Sequence, residues 1–220
     1  MTYNIINSNS SGNCIILDDS ISLDIGISFN KIKPYLNKIK IIFISHLWLH
    51  QDHLNIKTLK KMLYERPTIK VITGSKEVIN KLYDNDVLNR NIYYLKENTK
   101  YKFGDYQFKI DSLTHDTPNY ALHIDKKGFK TLYVVDTSNV DNIEAKDYNL
   151  YLIESNYRED ILQKHIEECE DEDKLYYLNR VPRTHLSNEQ ANGFLIENMG
   201  ENSVYQFIHE SSYNYEEREE

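Results

Sequence analysis

Four residues able to ligate a metal fall within eight positions: His46, His50, Asp52 and His53. They follow the apolar run Ile41–Ile44, which reads as a buried strand, so the polar cluster begins where a strand ends. Imidazole and carboxylate suit zinc, manganese or iron. A loop leaving a strand end can aim several such groups at one point. The chain holds only 8 histidines, and a merely solvated loop has no need of three of them.

Metal-capable residues also follow other apolar runs. His115-Asp116 comes after Ile110–Thr114, Asp136 after Leu132–Val135, Glu154 after Leu150–Ile153, and His209 after Val204–Ile208. His185 stands apart, in the loop before a helix. Taken singly each is weak, because an aspartate ending a strand is more often a turn former. Together with the histidine loop they give a set of candidate ligands: His46, His50, Asp52, His53, His115, Asp136 and His209. Such a set is what a two-metal hydrolase needs. His123 and His165 fit no such pattern and read as structural.

The elements that must position these residues can be read from hydropathy and punctuation. Tyr3–Asn7, Asn13–Leu17 and Ser20–Asp24 read as short strands, with a small polar loop, Asn7–Gly12, between the first two. Ser28 fits an N-cap for a helix to about Leu36, interrupted near Pro34. Helical spacing covers Ile56–Tyr64, Lys70–Thr73 reads as a strand, and Ser75 caps a helix through Leu82. Strands are then expected at Ile92–Leu95, Lys100–Phe103, Tyr106–Leu113, Tyr120–Asp125, Lys130–Val135 and Leu150–Ile153. One charged amphipathic helix is expected over Arg158–Lys174, and another over Ser187–Asn198, where Ser187-Asn-Glu-Gln190 resembles a capping box. Tyr205–Ile208 reads as a last strand. Strands in two batches, each followed by helices, imply an α/β fold of two sheets with helices outside, a four-layer αββα sandwich.

The chain has 220 residues, enough for one sizeable domain, expected over 1–213 with an acidic tail at 214–220. Acidic residues outnumber basic ones, 34 to 26, for a formal charge of −8. Long-range attraction to nucleic acid is therefore not built into the whole molecule. No signal peptide and no apolar run of membrane-spanning length are seen, so a cytoplasmic protein that does not engage membrane is expected. Two cysteines, Cys14 and Cys169, are too few for a disulfide framework. Cys14 reads as a small core residue.

The order of these residues resembles the metallo-β-lactamase fold superfamily, whose signature is His-x-His-x-Asp-His followed by a His, an Asp and a terminal His. Asp24-Ile-Gly26 resembles the first motif, whose Asp buttresses the metal loop. His50-Gln-Asp-His53, His115, Asp136 and His209 resemble the later ones. Glu154-Ser-Asn156, His185-Leu-Ser-Asn188, Ser10-Ser-Gly-Asn13 and His209-Glu-Ser211 resemble the phosphodiesterase branch that includes RNase Z. One departure stands out: Leu47-Trp-Leu49 puts three residues between His46 and His50 where the signature has one. Counted from the strand the first ligand is His46; counted back from Asp52-His53 the position falls on Trp48. His46 is preferred, because Trp is no metal ligand. A crippled first metal site is the alternative.

The resemblance implies two divalent ions, zinc with manganese as alternative. His46, His50 and His115 would hold one; Asp52, His53 and His209 the other; Asp136 would join them. Asp52, Glu154 and His185 are the implied catalytic residues, Glu154 and His185 forming a proton relay to the leaving group. Only 20 residues separate His115 from Asp136, with no room for the long arm by which many RNase Z enzymes hold tRNA. Together with the acidity, this favours a small phosphodiester over a long polyanion. The chain is also similar to phage-encoded cyclic-nucleotide phosphodiesterases that destroy immune messengers, a likeness shared by Glu65-Arg-Pro-Thr68. A homodimer is expected on the same likeness. A DNA or RNA nuclease, or a binding protein that has lost a metal, are the competing expectations.

Overall fold

The computed structural model describes residues 1–47, 53–87 and 90–211. Two of the residues expected to act, His50 and Asp52, together with Trp48 and the tail, lie outside these. The architecture is mixed α/β with two six-stranded sheets. In chain order the elements of the first are β1 (Tyr3–Asn9), β2 (Gly12–Leu17), β3 (Ile21–Leu23), α1 (Phe29–Ile32), β4 (Ile41–Phe43), α2 (Ile56–Glu65), β5 (Lys70–Thr73), α3 (Lys76–Asp84) and β6 (Ile92–Tyr94). The second continues with β7 (Tyr101–Phe103), β8 (Tyr106–Leu113), β9 (Asn119–Lys126), β10 (Phe129–Val134), β11 (Leu150–Glu154), α4 (Glu159–Glu167), α5 (Glu172–Thr184), α6 (Asn188–Asn198) and β12 (Val204–Ile208).

The chain divides into two compact units, Met1–Tyr101 with Thr117–Tyr120, and Lys102–Asp116 with Ala121–Glu220. In the first, the strand order is β1 to β6; β2 is antiparallel to β1 and β3, while β3 to β6 run parallel. Parallel neighbours need a crossover, and α2 and α3 supply two of them. Both helices are capped as their sequences ask, Asn55 accepting from the Thr58 amide and Ser75 from the Val78 amide. Their apolar stripes pack with Ile16, Ile42, Val71 and neighbours into one core. Cys14 is fully buried there, its thiol pushed up to about 12 by burial. It is a core residue, as expected.

In the second unit the sheet order is β12-β11-β10-β9-β8-β7. β9 and β10 form an antiparallel pair, and β10, β11 and β12 run parallel. Ala191, Phe194 and Leu195 of α6 pack with Leu132, Val134, Tyr151 and Ile153 of the strands. Ser187 and Gln190 form the expected capping box at the start of α6. No helix among the described residues is long and apolar enough to cross a membrane.

Three local expectations are corrected. Arg158–Lys174 is not one helix: α4 ends at Glu167 and α5 begins anew at Glu172, because Asp171 accepts from the Lys174 amide and caps a fresh start. The segment Asn7–Gly12 is mostly strand, with only Ser10 and Ser11 turning between β1 and β2. The helix after Ser28 is α-helical only to Ile32, and Pro34 sits in a 3₁₀ turn, Lys33–Tyr35.

Candidate functional site

In the first unit, three polar motifs meet at the start of β2 and past the ends of β3 and β4. Asp24 follows β3 in the left-handed region, with φ 58°, a conformation that Asp tolerates better than most residues. Its Oδ1 accepts from the Ser45 amide at 2.8 Å, and its Oδ2 accepts from the Ser45 hydroxyl at 3.0 Å. The same oxygen lies 2.8 Å from His53 Nδ1, with both side chains fully buried. Ile25 is strapped to this region by two backbone bonds, its amide to the His53 carbonyl and its carbonyl to the Asn55 amide.

An Nδ1–H donated to Asp24 leaves the His53 Nε2 as an acceptor, 3.3 Å from Asn13 Nδ2. That is the tautomer a metal requires, held by a carboxylate in the way metal-bound histidines usually are. His46 is also fully buried, its Nδ1 3.0 Å from the Ser45 hydroxyl and its ring 4.1 Å from that of His53.

Close backbone approach supports this arrangement. The Gly26 amide donates to the Asn13 carbonyl at 2.8 Å. A Cβ on Gly12 would fall 2.3 Å from the Gly26 carbonyl oxygen, and Gly12 has φ +146°. Only glycine fits.

In the second unit, Asp136, Glu154, His185 and His209 offer ligand atoms that all lie within 4.8 Å of one another. Asp136 and His209 both adopt left-handed backbone, with φ 51° and 56°. For a histidine this conformation is uncommon, and such outliers concentrate at functional positions. His209 Nε2 lies 3.0 Å from Asp136 Oδ1. Asn156 fixes the His209 backbone by donating from Nδ2 to its carbonyl at 2.9 Å.

Glu154 closes β11 and is fully buried. Its Oε2 accepts from the Thr137 amide at 2.9 Å and from the Leu186 amide at 3.4 Å. Its Oε1 accepts from His185 Nδ1 at 2.6 Å, and His185 Nδ1 is 3.5 Å from Asp136 Oδ1. Burial of the His185 ring works against its charge. The Glu154 carboxylate outweighs that, with a further push from Asp136, and raises the imidazole to about 9; Arg180 pulls weakly the other way.

His115 follows β8, and its Nδ1 lies 3.1 Å from the Thr184 carbonyl, which makes Nε2 the nitrogen able to accept a metal. The motifs beginning at Glu154 and His185 interlock. The Asn156 amide donates to the Leu186 carbonyl, and Asn188 Nδ2 donates to the Ser155 hydroxyl at 3.1 Å.

The structure thus groups His46 and His53 with Asp24 in one unit, and Asp136, Glu154, His185 and His209 in the other. His115 is anchored to the end of α5. His123 and His165 take no part in either group; His123 instead sits within β9, 2.9 Å from Asp111. Thr137 was not foreseen as a builder of the site, and Asn156 entered the sequence reading only as part of the Glu154-Ser-Asn156 motif, with no role of its own. The one sequence signal for Thr137 is a small polar residue directly after Asp136.

The donors fit divalent metal ions. They are imidazoles and carboxylates, most of them buried, and the His53 and His115 tautomers are set by bonds at Nδ1.

No family model matches the sequence, and no curated protein is similar to it. Solved structures are similar in fold. YhfI from Bacillus subtilis, a metallo-β-lactamase fold protein, superposes with a TM-score of 0.69 at 14% identity, covering 96% of this chain and 86% of its own. The short form of human tRNase Z gives 0.66 at 14% identity, covering 96% of this chain and 93% of its own. A diphosphatase of the PhnP family gives 0.68 at 11% identity, covering 97% and 87%. The fold of this chain is therefore the metallo-β-lactamase fold. That agrees with the expected fold class, and RNase Z stands among the structures it is similar to.

Proposed function

We propose that this chain is a metal-dependent phosphodiesterase that hydrolyses cyclic nucleotides. The observation that carries the reading is the Glu154–His185 pair at 2.6 Å, set among Asp136 and His209. His46, His50, Asp52, His53, His115, Asp136 and His209 are the proposed ligands of two divalent ions, zinc first and manganese second. When bound, such ions activate water and offset charge developing at phosphorus.

The remaining steps belong to the chain's own side chains. Glu154 holds the Nδ1–H of His185, so the opposite nitrogen, Nε2, carries the exchangeable proton. That proton goes to the departing oxygen as the phosphorus–oxygen bond breaks, and solvent restores it. Asn156, which holds the His209 backbone, and Thr137, which donates to Glu154, keep the acid group in place.

A small substrate is favoured by what lies between His115 and Asp136. It is residues 116–118, β9, the two residues Lys127 and Gly128, β10 and Val135, with no inserted arm. The formal charge of −8 points the same way. The similarity to a diphosphatase is in keeping with a small phosphoester. The similarity to tRNase Z favours the second reading, a nuclease. Degradation of cyclic-nucleotide immune signals by a phage-encoded homodimer is the setting the sequence resemblance suggests for the first.

Turnover of cyclic mononucleotides compared with single-stranded oligonucleotides, with manganese or zinc supplied, separates the two readings. Metal analysis accompanies it. Two ions per chain with turnover is the expected result; one or none, without turnover, supports a binding protein instead.

A further inference from the structure

The last turn of α5 faces the loop that follows β8. Arg180 and Thr184 are four residues apart and share one face of the helix, and they meet consecutive residues of that loop. The Thr184 carbonyl lies 3.1 Å from His115 Nδ1, and Arg180 Nε donates to Asp116 Oδ2 at 2.8 Å. An Nη of Arg180 donates to that same oxygen.

Two features mark the Arg180–Asp116 pair as exchangeable. First, the Nε and Nη bonds from Arg180 to Asp116 converge on the same oxygen, Oδ2, whereas the strongest match sends two parallel bonds to two oxygens. Second, the side chains are 26% and 41% exposed, a setting in which an ion pair contributes little. His185 is the C-cap of the same helix, five residues beyond Arg180. A part-exposed arginine is thus held by a weak partner, beside both the proposed acid and a proposed metal ligand. A phosphate group, with two anionic oxygens at the spacing of the fork, is the better partner.

We propose that Arg180 is a substrate-binding residue: its guanidinium takes the anionic oxygens of the phosphodiester, and Asp116 is the carboxylate it leaves to do so. This rests on the phosphodiesterase reading above and identifies the group that recognises the substrate's charge. Asp116 holds the fork extended when no substrate is present. It also weakens binding, because the incoming phosphate must displace it.

The test compares R180Q, R180K and D116N as manganese-loaded full-length proteins. Steady-state hydrolysis of bis(p-nitrophenyl) phosphate is measured, and affinity for inorganic phosphate is measured by calorimetry. Loss of a charge-assisted bond predicts that R180Q raises KM, and weakens phosphate binding, by about tenfold or more, with kcat and metal content little changed. R180K should fall between R180Q and wild type. D116N should act in the opposite direction, lowering KM and tightening phosphate binding by a few fold.

Opposite signs are the signature of an exchangeable partner. If R180Q and D116N instead both lower kcat and the melting temperature, with phosphate affinity unmoved, the pair is a structural clamp and the proposal is overturned. Should R180Q not fold, D116N and R180K still give the sign. If wild type hydrolyses no phosphodiester, the functional reading fails, while the phosphate affinities still decide the role of Arg180.

Discussion

Each unit buries a carboxylate–imidazole pair at the end of a strand, and the two pairs differ in their surroundings. Asp24 and His53 are both fully buried at 2.8 Å, and Asp24 also takes two bonds from Ser45. Glu154 and His185 are closer, at 2.6 Å, yet His185 is 15% exposed and has a second carboxylate, Asp136, at 3.5 Å. The first pair is sealed, which suits a group that orients a ligand. The second is open on the histidine side, which suits a group that exchanges a proton with something outside.

The two units also share a local backbone pattern. Asp24 and Asp136 each follow a strand lying between an antiparallel and a parallel neighbour, β3 in one sheet and β10 in the other. Both have left-handed φ. A third pair, Asp111–His123 at 2.9 Å, lies inside β8 and β9 rather than past their ends. It serves as a control: the same chemistry in a purely structural place.

The largest effect should come from breaking the open pair. His185→Ala is expected to lower kcat by about 10²–10⁴-fold, the usual contribution of a positioned acid or base, with metal content intact by elemental analysis. Metal loss would make His185 a ligand and erase the distinction between the pairs.

Breaking the sealed pair should act on stability instead. Asp24→Ala leaves His53 and Ser45 without their buried acceptor. A cost of about 3–5 kcal/mol is expected in urea unfolding, the scale for removing one partner of a buried pair, together with weakened metal binding.

The control pair should move stability alone. Burial pushes the Asp111 carboxyl up, but bonds and charge from His123 and Lys109 outweigh it and hold it below the ordinary 3.8. A depressed folded value means the stabilisation is present above the unfolded value and is lost as pH falls through the folded one. The stability gap between wild type and Asp111→Asn should therefore be full at neutral pH and shrink below about pH 4, with kcat unchanged throughout. A fall in kcat would show that this pair serves the site too.

The smallest effect is expected from Ser187→Ala. Loss of the capping box at α6 should cost about 1 kcal/mol, and His185, two residues earlier, should keep its kcat within a few fold.

Much of this frame was legible before folding. The apolar runs that became β4, β10, β11 and β12 end in polar residues, and unbroken runs such as those of β4 and β11 mark strands buried on both faces. Caps were legible where a side chain bonds its own helix, as at Ser75 and Ser187. The break between α4 and α5 was missed, although Asp171 carries the capping signal, because the charged run on either side keeps helical spacing. The left-handed turns at Asp24, Asp136 and His209 could not be read locally. They arise where a strand must leave its ladder, and sheet pairing decides that.

The sequence by itself determined which residues could bind metal or carry protons, and that most of them, though not His185, would follow strand ends. Those choices depend on residue chemistry and short-range periodicity. The resemblance implied that Asp24 buttresses the metal loop and that Glu154 pairs with His185; only the tertiary structure decided that Asp24 reaches His53 in particular, that the Glu154–His185 pair stands beside Asp136, and that Arg180 rests on Asp116. Each of those contacts joins residues distant in the chain. Sheet register brings them together, and no local pattern encodes it.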